Sequence, residues 1–175
     1  GRPIILFVNT SGAYCGVGAE ERGQGEAIAR NLMEMAGIKV PIISIFIGEG
    51  GSGGALALAL ADQVWMLGNG MYAVLSPEGF SSILWRSPHR VEEAAELMKL
   101  TAVDLLKNGV IEKIIPEHRD GLENHLQFTT DYIDRFLMEE LKKLCDMSVE
   151  ELLENRYQRF RKYGSFTEED ELEKK

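Results

Sequence analysis

Five of the seven residues from Gly48 to Gly54 are glycine, and the run lies between an apolar stretch, Ile42 to Ile47, and an alanine–leucine stretch, Ala55 to Ala61. The interior of a helix or strand does not favour this, because each glycine there costs roughly 0.5–1 kcal/mol relative to alanine. The run therefore marks a turn, and a helix after it would bare backbone N–H groups at its positive end. Such groups can hold a phosphate or a developing oxyanion. Of 18 glycines, 15 fall within the first 79 residues. Backbone-critical work is expected in that half, and packing or docking in the charged, helical remainder.

Both apolar runs of the first half, Ile4 to Val8 and Ile42 to Ile47, are too continuous for strands with one wet face. The first reads as a strand over 3–9, followed by a loop with three glycines (Gly12, Gly16, Gly18) and a helix over 19–36. Ile28, Leu32 and Met35 share a face of that helix, Gly37 stands at its C-cap, and Glu20 and Glu21 complement its dipole. Ala55 to Ala61 alternates with period two, yet alanine and leucine are strong helix formers, so a helix is expected. Asp62 to Leu67 and Met71 to Leu75 read as short strands, and Ser76-Pro77-Glu78-Gly79 as a capped helix start. Helices near 90–99 and 101–107, a strand from Val110 to Ile115, and helices over 121–144 and 148–163 complete the chain. Ser148 to Glu151 forms a capping box, and the charged tail Glu168 to Lys175 is expected to fray. Leu56, Leu58, Trp65 and Met66 are taken as core. Strands alternating with helices favour an α/β fold with a largely parallel sheet.

A net charge of −9 argues against a general nucleic-acid binder, although Arg156, Arg159, Arg161 and Lys162 form a local basic cluster. That cluster could meet an acidic partner or CoA phosphates, or be a solvated helix face. Cys15 and Cys145 make neither a disulfide framework nor a structural zinc site. No apolar run reaches the roughly 18 residues of a membrane span, so a soluble, cytoplasmic protein is expected. The chain opens on Gly1-Arg2-Pro3 and enters a buried strand at once, which suggests a piece of a longer fold.

The glycine run matches two patterns. As G-x-G-x-x-G it is a dinucleotide fingerprint, but no acid follows at the end of the next strand, Leu67-Gly68-Asn69. As G-x-S-x-G around Ser52 it is a nucleophile elbow, yet the only histidines are His89, His118 and His125, all in polar stretches. No metal spacing and no Walker A sequence is present. Two parallel strands whose C-terminal ends carry glycine loops can instead aim backbone donors at one point.

The stretch Gly12-Ala13-Tyr14-x-Gly16-Val17-Gly18-Ala19-Glu20-Glu21-Arg22-Gly23-Gln24 closely resembles the α subunits of bacterial acetyl-CoA carboxylase carboxyltransferases, as does Ile47-Gly48-Glu49-Gly50-Gly51-Ser52-Gly53-Gly54-Ala55-Leu56-Ala57. Ser76 to Gly79, Ser82 to Trp85 and Arg156-Tyr157-Gln158-Arg159 extend the likeness along nearly the whole chain, which would be roughly the C-terminal half of such a subunit. Family members usually carry proline where Ser11 and Cys15 stand, so a required thiol at Cys15 is not implied. They often continue after Pro116-Glu117 with Gly-Gly-Ala-His, where this chain has His118-Arg119-Asp120-Gly121.

The resemblance implies a crotonase-like (ClpP/crotonase) fold of repeated ββα units, with a core over 1–120 and C-terminal helices over 121–175 extending the same domain. It implies transfer of CO2 from carboxybiotin on a biotin carboxyl carrier protein to acetyl-CoA, giving malonyl-CoA in fatty acid biosynthesis. The partners implied are a zinc-ribbon β subunit on the acyl-CoA side, the carrier protein and biotin carboxylase. An α2β2 heterotetramer is expected, with ATP binding and nucleotide binding ascribed to the protein and no metal in this chain. Because the cofactor is its own base, the protein must stabilise negative charge on the biotin ureido oxygen. The candidates are the N–H groups of Gly53 and Gly54 with those of Gly12 and Ala13, and Gly50, Gly51, Ala55 and Tyr14 as biotin-binding residues. Gly50 and Gly51 could also be mere spacers. The rival readings are an assembly module inactive alone, and a stand-alone crotonase-type acyl-CoA enzyme using Glu49 as its carboxylate.

Overall fold

The computed structural model describes residues 1–164, and the tail from Glu168 to Lys175 lies outside them. Strand β1 (Ile4–Thr10) leads through α1 (Val17–Glu21) and α2 (Gln24–Ala36) to β2 (Ile42–Gly51) and α3 (Ser52–Ala59). Strands β3 (Gln63–Leu67) and β4 (Met71–Ala73) precede α4 (Pro77–Trp85), α5 (Val91–Met98) and α6 (Ala102–Lys107). Strand β5 (Lys113–Ile115) and helices α7 (Leu126–Cys145) and α8 (Val149–Arg161) follow. The sheet runs β1-β2-β3-β5, and all of these pairs are parallel.

The second apolar run is explained by a sheet covered on both faces, whereas β1, expected to be buried likewise, is an edge strand among the described residues, with Val8 buried and Phe7 exposed. Val8, Ile42, Phe46, Val64 and Met66 pack with Ala55 and Ala59 of α3 and with Ala102 and Leu105 of α6. Ile43, Ile45, Trp65, Leu67 and Ile115 pack instead with Leu144 of α7 and Leu152 of α8. Ser44, the polar break in the second run, is fully buried and donates its hydroxyl to Leu58 O (2.6 Å).

Several expectations are corrected. The single helix over 19–36 is two, because Gly23 adopts φ +76 and turns the chain between them. Helix α7 starts at Leu126 rather than 121, since Gly121 (φ +91) reverses the chain first. Leu56 is 41% exposed, so it is not core. Helix α3 turns Ala55, Ala57 and Ala59 inward, where the sheet leaves room only for small side chains. The caps agree with expectation: Ser76 Oγ accepts from Gly79 N (3.2 Å) and Ser148 Oγ from Glu151 N (3.1 Å).

The basic cluster divides. Arg156 and Arg159 are buried, whereas Arg161 and Lys162 are exposed. The guanidinium of Arg156 donates to Asp62 Oδ1 and Oδ2 (2.8 Å each), and also to the carbonyls of Met35 (3.0 Å), Ile38 (2.7 Å) and Val40 (3.0 Å). Asp62 Oδ2 in turn accepts from Ile42 N (2.7 Å). Arg159 donates to Glu112 Oε1 (2.6 Å) and to Val110 O (2.8 Å). These two arginines tie α8 to Asp62 and Glu112; Arg156 has no free face for a partner or a CoA phosphate, whereas Arg159 borders a cavity of about 270 Å³ with Tyr72, Leu105 and Phe160.

Candidate active site between two glycine loops

The site begins with an irregularity between β1 and β2. Val8 pairs with Phe46 but Thr10 with Gly50, so Asn9 alone opposes Ile47, Gly48 and Glu49. Asn9 Oδ1 accepts from Glu49 N (3.0 Å) and fills the space a Cβ at Gly48 would need, 2.7 Å away. Beyond this bulge β2 leaves β3 and pairs with β4 through Glu49↔Met71, Gly50↔Tyr72 and Gly51↔Ala73. The glycine run is thereby carried as strand up to the first residue of α3.

The two glycine loops then meet backbone to backbone. A Cβ on Gly51 would lie 2.2 Å from Ser11 O, and one on Gly54 would lie 2.8 Å from Ala13 N. Only glycine permits this approach at either position. Gly50 is a spacer of another kind, since the Phe46 ring already occupies its Cβ position. Gly12 requires glycine conformationally, at φ +122. Ser52, between the glycines, is held at φ +49, a strained conformation for a residue with a Cβ.

At the N-terminus of α3 the amides of Ser52, Gly53 and Gly54 lack intrahelical partners, and no side chain caps them. The Gly12 amide is occupied, donating to Thr10 Oγ1 (3.1 Å) in a local turn. The Ala13 nitrogen lies against Gly54, 2.8 Å from where a Cβ would stand. Tyr14 is exposed, and with the Gln24 amide in its paired orientation its backbone N and O both bond that side chain (3.0 and 2.5 Å). Ala55 is fully buried in the core, so its side chain cannot touch a ligand and it leaves the binding set.

Two clefts flank the contact. One, of about 220 Å³, has Ser11, Gly51 and Ser52 on one wall and Leu75, Ser76 and Pro77 on the other. The N-termini of α3 and α4 both open into it, giving two positive dipole ends, with the exposed Glu49 at its rim. The second, about 360 Å³ and more open, is lined by Ala13, Gln24, Ile28, Asn31, Gly54 and Leu58. None of the three histidines lines either cleft, so Ser52 has no imidazole partner among the residues that form them. Unpaired backbone amides at a helix N-terminus are the kind of group that suits a negative charge. Sequence reading recognised the Ser76-Pro77 cap but could not place it here, because the β2–β4 pairing has no local signature. Asn9 and Thr10 carried no signal either.

This is the crotonase-like α/β fold found in carboxyltransferases. Over 91% of this chain it matches a Pseudomonas malonate decarboxylase hetero-tetramer in complex with coenzyme A (TM-score 0.69, 18% identity, 64% of that chain). Over 82% it matches transcarboxylase 12S with hydrolysed methylmalonyl-coenzyme A bound (TM-score 0.67, 20% identity, 26% of that chain). Residues 1–164 match the model of the acetyl co-enzyme A carboxylase carboxyltransferase-like family, and the chain belongs to that family. It is similar to acetyl-coenzyme A carboxylase carboxyl transferase subunit alpha of Streptococcus sanguinis, 64% identical over 163 residues, and to that of Streptococcus equi subsp. equi, 65% identical over 163 residues. In both cases 93% of this chain is covered and it spans 62% of the relative's length. The expectation of ATP and nucleotide binding gains no support for this chain from any of these matches. No helix among the described residues is long and apolar enough to cross a membrane.

Proposed function

We propose that this chain is the biotin-side portion of a carboxyltransferase α subunit, moving CO2 from carboxybiotin on a carrier protein to acetyl-CoA to give malonyl-CoA and biotin. Carboxybiotin supplies the CO2 and, once it has released it, the base that takes the acetyl proton. The chain's own part is to bind the ureido oxygen as it gains negative charge. The observation that carries this is the seating of α3's uncapped N-terminus against the Ala13 backbone, closer than any residue with a Cβ allows. Ala13, Gly53 and Gly54 are the donors, each expected to supply about 3 kcal/mol to charge stabilisation. Gly12 acts by its turn, since its amide is engaged by Thr10. Gly50 and Gly51 wall the cleft, and Tyr14, exposed and one residue past Ala13, is the ring offered to biotin.

The partners proposed are a β subunit carrying the acyl-CoA side, the carrier protein and biotin carboxylase, with α2β2 as the carboxyltransferase. The test is malonyl-CoA decarboxylation with biotin as acceptor, run with the full-length α subunit and its β partner. Gly54→Val is expected to abolish transfer while the complex still assembles. Loss of assembly in that variant would make the loop structural only. Undiminished transfer would overturn the assignment. Glu49→Gln is expected to retain activity, and its loss would favour a carboxylate mechanism instead.

A further inference from the structure

The segment between β5 and α7 is built rather than loose. At its start Thr129 Oγ1, from within α7, donates to Pro116 O (3.2 Å), and Glu117 Oε2 accepts from Asn69 N (2.6 Å). The chain reverses at Gly121, whose N–H donates to His118 O (3.0 Å), and Asn124 Nδ2 donates to Asp120 O (3.0 Å). Leu122 packs into the core on the α7 face. This turn brings the rings of His118 and His125 to a centroid separation of 3.6 Å, and His118 also meets Phe128 edge-on.

Asp120 Oδ2 lies 3.5 Å from His118 Nδ1 and 3.7 Å from His125 Nε2. Both separations are too long for hydrogen bonds. They approach the edge, about 3.3 Å, of a tetrahedron of nitrogen and oxygen ligands around zinc. One ligand atom from each residue lies within 4.8 Å of the other two. His118 Nδ1 now accepts from Asp120 N (3.2 Å), a hydrogen bond that an ion bound at Nδ1 would replace. All three side chains are partly or fully exposed, so closing them on one ion needs no repacking of the core.

From this geometry we propose that His118, Asp120 and His125 form a binding site for one borderline divalent cation of the Zn2+ class, leaving its fourth position open to solvent. Two imidazoles and a carboxylate suit Zn2+, Co2+ or Ni2+, whereas Mg2+ and Ca2+ require oxygen ligands. The site shares no residue with either glycine-loop cleft, so the ion would staple the β5–α7 segment rather than act on the substrate. The sequence reading expected no metal here, because His-x-Asp-x4-His matches no common ligand spacing and depends on the left-handed turn at Gly121.

The experiment titrates Zn2+ and Co2+ into the metal-free full-length chain carrying Cys15→Ser and Cys145→Ser, because both thiols are exposed and would otherwise compete. One ion per chain is expected, with visible cobalt bands of a nitrogen–oxygen site and no competition from equimolar Mg2+. His118→Ala and His125→Ala should each weaken binding by about tenfold or more, and His89→Ala should not change it. Asp120→Asn, an exposed and nearly isosteric change, serves should either histidine variant misfold. Absence of binding, displacement by Mg2+, or affinity unchanged in both the His118→Ala and Asp120→Asn proteins would overturn the proposal.

Discussion

Gly53 and Gly54 are neighbours of the same type and are not equivalent. A Cβ on Gly53 would meet only Ile28 Cδ1, at 3.8 Å, whereas one on Gly54 would strike Ala13 N at 2.8 Å and Gly12 C at 3.0 Å. Gly53→Ala should therefore raise stability by roughly 0.5–1 kcal/mol through helix propensity, and Gly54→Ala should lower it by pushing the first loop away. Thermal denaturation of the two proteins decides this, and shifts of the same sign would contradict it. Charge follows the same rule of place. Arg156→Leu strands a buried carboxylate, Asp62, and should cost about 3–5 kcal/mol. The exposed Arg161→Leu, on the same helix, should cost no more than about 0.5 kcal/mol. Equal costs in denaturant titration would show that the Arg156 clamp does not hold α8.

Among the elements, β2 and α7 both owe their placing in part to polar contacts. The β2 bulge rests on Asn9, so Asn9→Leu leaves Glu49 N–H without its acceptor and should cost about 1–2 kcal/mol. Asn9→Asp keeps the acceptor oxygen and should lose less. Amide exchange at Glu49 reads the difference directly, and equal protection in the two variants would rule the contact out. Helix α7 docks through Glu140, which accepts from Lys113 (2.8 Å), Lys143 (3.0 Å) and Gln63 (2.8 Å). Burial raises its pKa, but the three hydrogen bonds outweigh burial and bring it from 4.5 down to about 2. A depressed carboxylate stabilises the fold fully above its unfolded value and loses that contribution as pH falls toward its folded one. Stability should thus decline between pH 4.5 and 2, and Glu140→Gln should flatten that decline in melts recorded across the window.

For the molecule as a whole, a parallel sheet sandwiched by α2, α3 and α6 on one side and α7 and α8 on the other sets what moves and what does not. Among the described residues strand β1 has only β2 as a neighbour, and Phe7 is 55% exposed, so the outward N–H groups of β1 should exchange quickly while Ile43 to Phe46 of β2 exchange last. Uniform protection across both strands would show a second neighbour for β1. Local preference, read over a few residues, was enough for most elements: the Ile42 to Phe46 run means a strand buried on both faces, and Ser-Pro-Glu and Ser-x-x-Glu mean caps. The sequence did not show the break at Gly23, nor that β2 runs on as strand through Gly51 to α3. It could not separate Gly53 from Gly54, nor Arg156 from Arg161, nor turn His118 toward His125. Those distinctions rest on neighbours brought from far along the chain, such as Asp62 against Arg156, 94 positions apart. Only tertiary packing decides them, because space and burial at a residue belong to whatever lies across from it, and local periodicity carries no record of that.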